Sequence, residues 1–185
     1  MAVAQAYTTA EDGEIHASGG VADTRDKTAT TCRCYTSSSS GTVEYEAHFF
    51  HDTSVFAGLT ITAVTWNVYV DSSVNDGLTF FQGWTDDTAA AGTSLDVADY
   101  RVGQDYQFYN STPPSAGWNS FSIPVAQINT AGYTNVMWFA VAGDSTTSIC
   151  TFQTFENASG NKAYFEATYT TGGVTTPQLF LMGRA

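Results

Sequence analysis

Positive charge is scarce in this chain. Lys and Arg together number 6 against 18 Asp and Glu, a formal net charge of -12 over 185 residues. A nucleic-acid binder needs cations at the phosphates to release counterions, so direct binding to nucleic acid is not expected. Attraction to an anionic membrane surface is disfavoured for the same reason. Cysteine stands at 3, namely Cys32, Cys34 and Cys150, an odd number that cannot all pair within one chain. Cys32 and Cys34 alternate in TTCRCYT, so a strand points both to one face. Neither this C-x-C pair nor the third cysteine makes a zinc site without a fourth ligand, and no His stands at a supporting spacing. Free, partly buried thiols are the expectation, with a Cys32–Cys150 or Cys34–Cys150 bridge as the alternative. No stretch approaches the ~18 apolar residues of a membrane span. The opening MAVAQAYTTAEDGEIHA has neither the basic start nor the apolar run of a secretory signal. A protein made in a cytoplasm is therefore expected, although a secreted chain stripped of its signal would read the same way.

The usual catalytic patterns are missing too: no G-x-S-x-G, no H-E-x-x-H, no phosphate-binding glycine loop and no G-x-G-x-x-G. His48 and His51 are three apart, so a strand sends them to different faces, and His16 stands alone. Glu44 and Glu46 share a face, but two acids on a solvated face are ordinary and fall short of a glycosidase pair. DSSVNDG at 71–77 and TDDT at 85–88 collect oxygen ligands without matching the twelve-residue calcium loop, and Asp and Asn are good turn residues in their own right. No enzyme activity, metal or cofactor is expected.

What the chain has in abundance is Thr, 28 residues, and Ser, 16, with 43% hydrophobic and 14% aromatic residues. That excludes disorder and favours strands over helices. Period-two alternation marks Val43 to Phe50, Thr60 to Val70, Leu78 to Trp84, Trp118 to Ile123, Asn135 to Ala142, Ile149 to Phe155 and Ala163 to Tyr169. In the second run Thr62, Val64, Trp66, Val68 and Val70 form the core-facing set. EIHAS, TATTCRCY and QLFLM are weaker strand candidates. Turn clusters lie between the runs at 37–41, 71–77, 85–94, 111–117 and 157–161. Only Ser94 to Tyr100, with a Ser cap, and Pro124 to Gly132, opened by Pro and closed by Gly, can make a helical turn or two. The fold class expected is all-β: a single-domain, jelly-roll-like β-sandwich of about nine or ten strands. It would span 1–171 with a short N-terminal lead. Residues 172–185 form an arm or extra strand whose apolar Leu179, Phe180, Leu181 and Met182 pair with the chain's own sheet edge or with a neighbouring subunit. Tyr106, Phe108, Tyr109 and Trp118 flank a Pro-Pro turn. Some of these must enter the core, and Tyr109 and Trp118 are the candidate glycan-contact aromatics.

Several segments together resemble the DNRLRE-type jelly-roll modules. FFHDTSVFAGLTITAVTWNVYV is similar to that family's F-D-T-S and L-x-L-Y hallmark, with His51, Asp52, Thr53 and Ser54 in the first stretch and Trp66 to Tyr69 in the second. LDVADY, WNSFSIPVAQINTAGYTNVMWFAV and TFENASGNKAYFEATYT resemble later passages, with Ala163 where Pro is usual. The likeness covers roughly 43 to 171. It implies a structural rather than catalytic role for the hallmark residues. It also implies membership of a group found as carbohydrate-binding or adhesive modules of secreted bacterial proteins and among tailed-phage virion proteins. The expected function is a non-enzymatic bacteriophage virion protein, a capsid decoration or cement protein located in the virion. Its partners would be a major capsid or tail protein and copies of itself, with no nucleic acid or membrane. The alternatives are an extracellular carbohydrate-binding or adhesive module that contacts a cell-surface glycan, and a tail-fibre or filament subunit.

Overall fold

The computed structural model describes residues 1–37, 43–74, 80–86, 94–100, 104–141 and 147–171. These form twelve strands: β1 (Ala2–Tyr7), β2 (Gly13–Ser18), β3 (Val21–Asp26), β4 (Thr31–Ser37), β5 (Val43–Asp52), β6 (Thr60–Val74), β7 (Phe80–Asp86), β8 (Tyr106–Ser111), β9 (Gly117–Ile123), β10 (Tyr133–Val141), β11 (Thr147–Gln153) and β12 (Tyr164–Thr170). Every pairing between them is antiparallel. The strands join in the order β1-β12-β6-β11-β4-β5-β10-β7-β8, with β9 added to β6 and the β2–β3 hairpin added to β5. The chain is all-β, a twelve-stranded sheet curled around a buried centre. The strands that no run in the sequence marked are β1, β3 and β8. β3 is mostly exposed along its length, so no buried stripe marks it in the sequence. The Leu179–Met182 segment and the rest of the proposed arm lie outside the described residues.

The core is aromatic. Trp66 of β6 sits 5.4 Å from Phe49, 5.8 Å from Phe108, 6.0 Å from Phe121 and 6.1 Å from Trp138, measured between ring centres. Val64, Val68 and Val70 share its face as the alternation requires, whereas Thr62 at the strand's start is exposed. Gly83 of β7 makes room for this cluster: a Cβ there would stand 2.6 Å from the Phe108 ring and 3.0 Å from Trp138. Cys32, Cys34 and Cys150 form no disulfide and are fully enclosed in the same core, with Cys150 paired in register to Cys34.

Strand β5 departs from simple alternation. Tyr45 is partnered by both His16 of β2 and Tyr35 of β4, and His48 by both Gly13 of β2 and Met137 of β10. A residue has only two edges, so β2 runs along one side of β5 while β4 and then β10 occupy the other. The face that Glu44 and Glu46 share, expected to be solvated at these two acids, buries Glu46, His48 and Phe50. Residues 94–100 cover part of it. Leu95 is fully enclosed against Ile15 and Phe50, and the Tyr100 hydroxyl donates to Glu44. Within this segment Val97–Asp99 forms a 3-10 turn capped by Asp96, not by Ser94 as expected, in a reciprocal capping box with Asp99. Ser94 instead donates to Glu11. The second expected helical stretch is likewise one 3-10 turn, Val125–Gln127, behind Pro124.

In place of the turn expected at 71–77, β6 continues to Val74, where Ser72 and Ser73 pair with β11, and 75–77 lie outside the described residues. Asp71 accepts a hydrogen bond from Gln153 at 2.9 Å.

Candidate functional site

Four neighbouring strands leave one face open to solvent, and their sequences explain why. β1 alternates small residues inward, Ala4 and Ala6, with Val3, Gln5 and Tyr7 outward. β12 buries Phe165 and Ala167 and turns Tyr164, Glu166 and Thr168 out. β6 places Thr65, Asn67 and Tyr69 on that side, and β9 adds Trp118, Ser120 and Ser122. The register aligns Tyr7, Tyr164, Asn67 and Ser120 in one row across β1, β12, β6 and β9, with Tyr69 opposite Trp118 two residues further along β6.

The result is a continuous aromatic ridge. Ring centres are separated by 5.3 Å for Tyr7–Tyr164, 5.7 Å for Tyr164–Trp118 and 5.7 Å for Trp118–Tyr69. Tyr7 and Trp118 are each 50% exposed. At strand spacings of about 4.8 Å, four strands give a face roughly 14 Å across. Hydrogen-bonding groups flank the rings. Gln5 donates to Glu166 at 2.9 Å, the Tyr7 hydroxyl to Gln5 at 2.8 Å, and Ser120 to Asn67 at 2.6 Å. Burial, with Glu166 and Tyr7 adjoining, lifts the Tyr164 hydroxyl above the ordinary tyrosine range, so at neutral pH it remains a donor. Rings held by strand pairing stack on a flat partner without first losing much side-chain freedom.

The two aromatics singled out in the sequence part company here. Trp118 lies on this ridge. Tyr109 is half-buried on the other side of β9, its ring 5.3 Å from Phe121 and 5.1 Å from Trp138, and its hydroxyl donates to the Thr112 carbonyl at 2.5 Å. Its strand β8 hangs on the edge of β7, which turns the ring toward the core wall and away from the ridge. Tyr7, Tyr69 and Tyr164 were missed. The outward parity of Tyr69 was visible in NVY, but strand order alone brings the three beside Trp118.

A second concavity, about 220 Å³, is lined by Glu14, His16, Thr24, Arg25, Asp26, Arg33 and Tyr45. Its charges are already matched. Arg33 grips the nearly buried Glu14 through Nε and Nη2 and lies 4.1 Å over the Tyr45 ring. Arg25 pairs with Asp96 and His16 with Asp23. Lys27 next to it pairs with Glu11. Among the described residues the cleft offers no spare cation to an anionic ligand.

The histidines do structural work. His51 is fully enclosed, and its Nε2 accepts from Trp66 Nε1 at 3.0 Å. That bond leaves the proton on Nδ1, which donates to the Ala6 carbonyl at 3.2 Å. Burial pushes His51 down to about 3. His48 points the other way, 3.4 Å from Glu46 and 3.5 Å from Asn135. Beside them, Asp52 caps a 3-10 turn at Thr53–Phe56, and the Thr53 hydroxyl lies 2.7 Å from the Asn129 carbonyl and 2.9 Å from that of Gly132. The H-D-T-S stretch thus ties β5 to the loop entering β10. Among the described residues no group of three or more His, Cys, Asp or Glu is placed to hold a metal ion, and no helix is long and apolar enough to cross a membrane.

Fold and surface together define an all-β module with one open aromatic sheet face. No family model matches the chain, and no curated protein matches it in sequence.

Proposed function

We propose that this chain is a non-enzymatic structural protein of a bacteriophage virion, a capsid decoration protein that meets the shell or a sister subunit across a preformed sheet face. The observation that carries this reading is the Tyr7–Tyr164–Trp118–Tyr69 ridge, rigid and open on a module whose cleft charges are spent on internal pairs. Exposed rings on a fixed scaffold are the residues that dominate protein contacts when a partner buries them. The mechanism is passive: occupancy of the face links the stability of the particle to that of the module. The resemblance to DNRLRE-type modules is in keeping with such a role.

Co-sedimentation with purified capsids tests it. The wild-type chain is expected to pellet with particles, and Trp118→Ala together with Tyr164→Ala to weaken binding at least tenfold. Equal binding of the variant would remove the face from the reading.

A second reading is favoured by the groups around the ridge. Gln5, Glu166, Asn67 and Ser120 surround the rings with the donors and acceptors that sugar hydroxyls require, while the rings match apolar pyranose faces. Glycan binding that disappears in the same variant, without capsid binding, would select a carbohydrate-binding module instead.

A further inference from the structure

The turn leaving β1 carries an enclosed acid. Asp12 has no exposed surface. Its Oδ2 accepts from the Phe155 amide at 2.8 Å and from the Thr8 hydroxyl at 3.2 Å, whereas Oδ1 has no hydrogen-bond partner. Across from it, in the loop between β11 and β12, stands Glu156, whose Oε2 is also enclosed and unpartnered. Two carboxylates repel, but a carboxylic acid donates to a carboxylate, and that arrangement satisfies both oxygens.

Among the described residues the surroundings supply no other remedy. Glu14 on β2 is held by Arg33, the Cys32 thiol of β4 is uncharged, and the Lys162 ammonium lies 3.6 Å over the Phe155 ring. Burial raises the Asp12 carboxyl to about 8, opposed by the Phe155 amide and reinforced by the Glu156 charge.

The location gives this pair leverage. Among the described residues β1 pairs with β12 alone, as an edge strand. Just beyond it Thr8 donates to the Ala163 carbonyl and Thr9 to that of Phe50, both at 2.8 Å. Asp12 and Glu156 therefore stand where β1 leaves the sheet and the chain approaches β12, and β1 carries Tyr7 of the ridge. We propose that Asp12 keeps its proton and donates it to Glu156, closing a latch that seats β1 on β12, and that loss of this proton frees β1 and takes Tyr7 off the aromatic face. The consequence for binding rests on the proposed role of that face; the latch itself does not.

Amide hydrogen exchange of the intact chain tests the latch without any ligand. Between pH 6.5 and 9, after correction for intrinsic rates, protection across residues 2–9 should fall about tenfold in the wild type while β5 and β10 hold theirs. Asp12→Asn, which keeps an acceptor for Phe155 and offers Glu156 a neutral donor, should hold protection at both pH values. Glu156→Gln should do the same and serves if the first variant does not fold. Equal wild-type protection at both pH values, or a loss in the variants matching the wild type, overturns the proposal. So does restoration of wild-type protection at pH 9 by millimolar Ca²⁺, reversed by chelator, because the pair would then be a cation site. Loss of partner binding in the Trp118 and Tyr164 variants reports on the face alone, so the two ideas fail separately.

Discussion

Two buried titrations of opposite sign should cancel in this protein, and one substitution should separate them. His51 has an ordinary value of 6.5 and about 3 in the fold. Between those values the unfolded chain binds a proton that the folded chain does not, so His51 makes stability rise with pH. Asp12 moves from 3.8 to about 8, so across that window the folded chain holds the extra proton and stability falls as pH rises. Each slope is worth about 1.4 kcal/mol per pH unit. From about pH 4 to 6.5 the two offset each other, while from 6.5 to 8 only Asp12 acts, removing about 2 kcal/mol. Asp12→Asn deletes one term. The variant should lose about 3 kcal/mol on acidification from pH 7 to 4.5 and be flat between 7 and 8. That is a large part of the 5–15 kcal/mol typical of a domain. Equilibrium urea unfolding followed by tryptophan fluorescence reads it, since Trp66 and Trp138 are enclosed. A variant whose stability is independent of pH from 7 to 4.5 would refute the assignment of His51 as the opposing group.

Other outcomes follow from the packing. Gly83→Ala should cost about 1–3 kcal/mol in thermal or urea melts, because its Cβ meets the rings of Phe108 and Trp138. Trp66→Phe should cost about 2–4 kcal/mol, combining a smaller ring with an unsatisfied His51 Nε2. The thiols should resist a disulfide reagent such as DTNB until the chain unfolds, then react three per chain. All three are enclosed, and burial pushes those of Cys32 and Cys150 upward. Rapid labelling of any of them in the native state would contradict this packing.

The fold was legible where one face of a strand is buried and the other wet. Val64, Trp66, Val68 and Val70 announce β6 by parity alone, and Phe165 and Ala167 do the same for β12. Legibility fails where that contrast fails. β3 is exposed over most of its length, and β1 buries only alanines, so neither has a hydrophobic stripe to read. β5 fails in the opposite sense: Leu95 and its neighbours cover the second face, so Glu46 and His48 look surface-like in sequence and are buried in the fold. The ridge was half legible. Trp118 could be singled out as an aromatic near a turn, but Tyr7 and Tyr164 come from the two ends of the chain. Only the antiparallel pairing of β1 with β12 joins them. Asp12 and Glu156 are separated just as widely and carry no local motif.

The most direct test of the central proposal is immunogold electron microscopy of virus particles and cells from the source, with antibody against this chain. Regular labelling of virus heads is the expected result. Label confined to cell surfaces or extracellular polysaccharide, with bare particles, would contradict the virion reading and transfer the aromatic face to glycan binding.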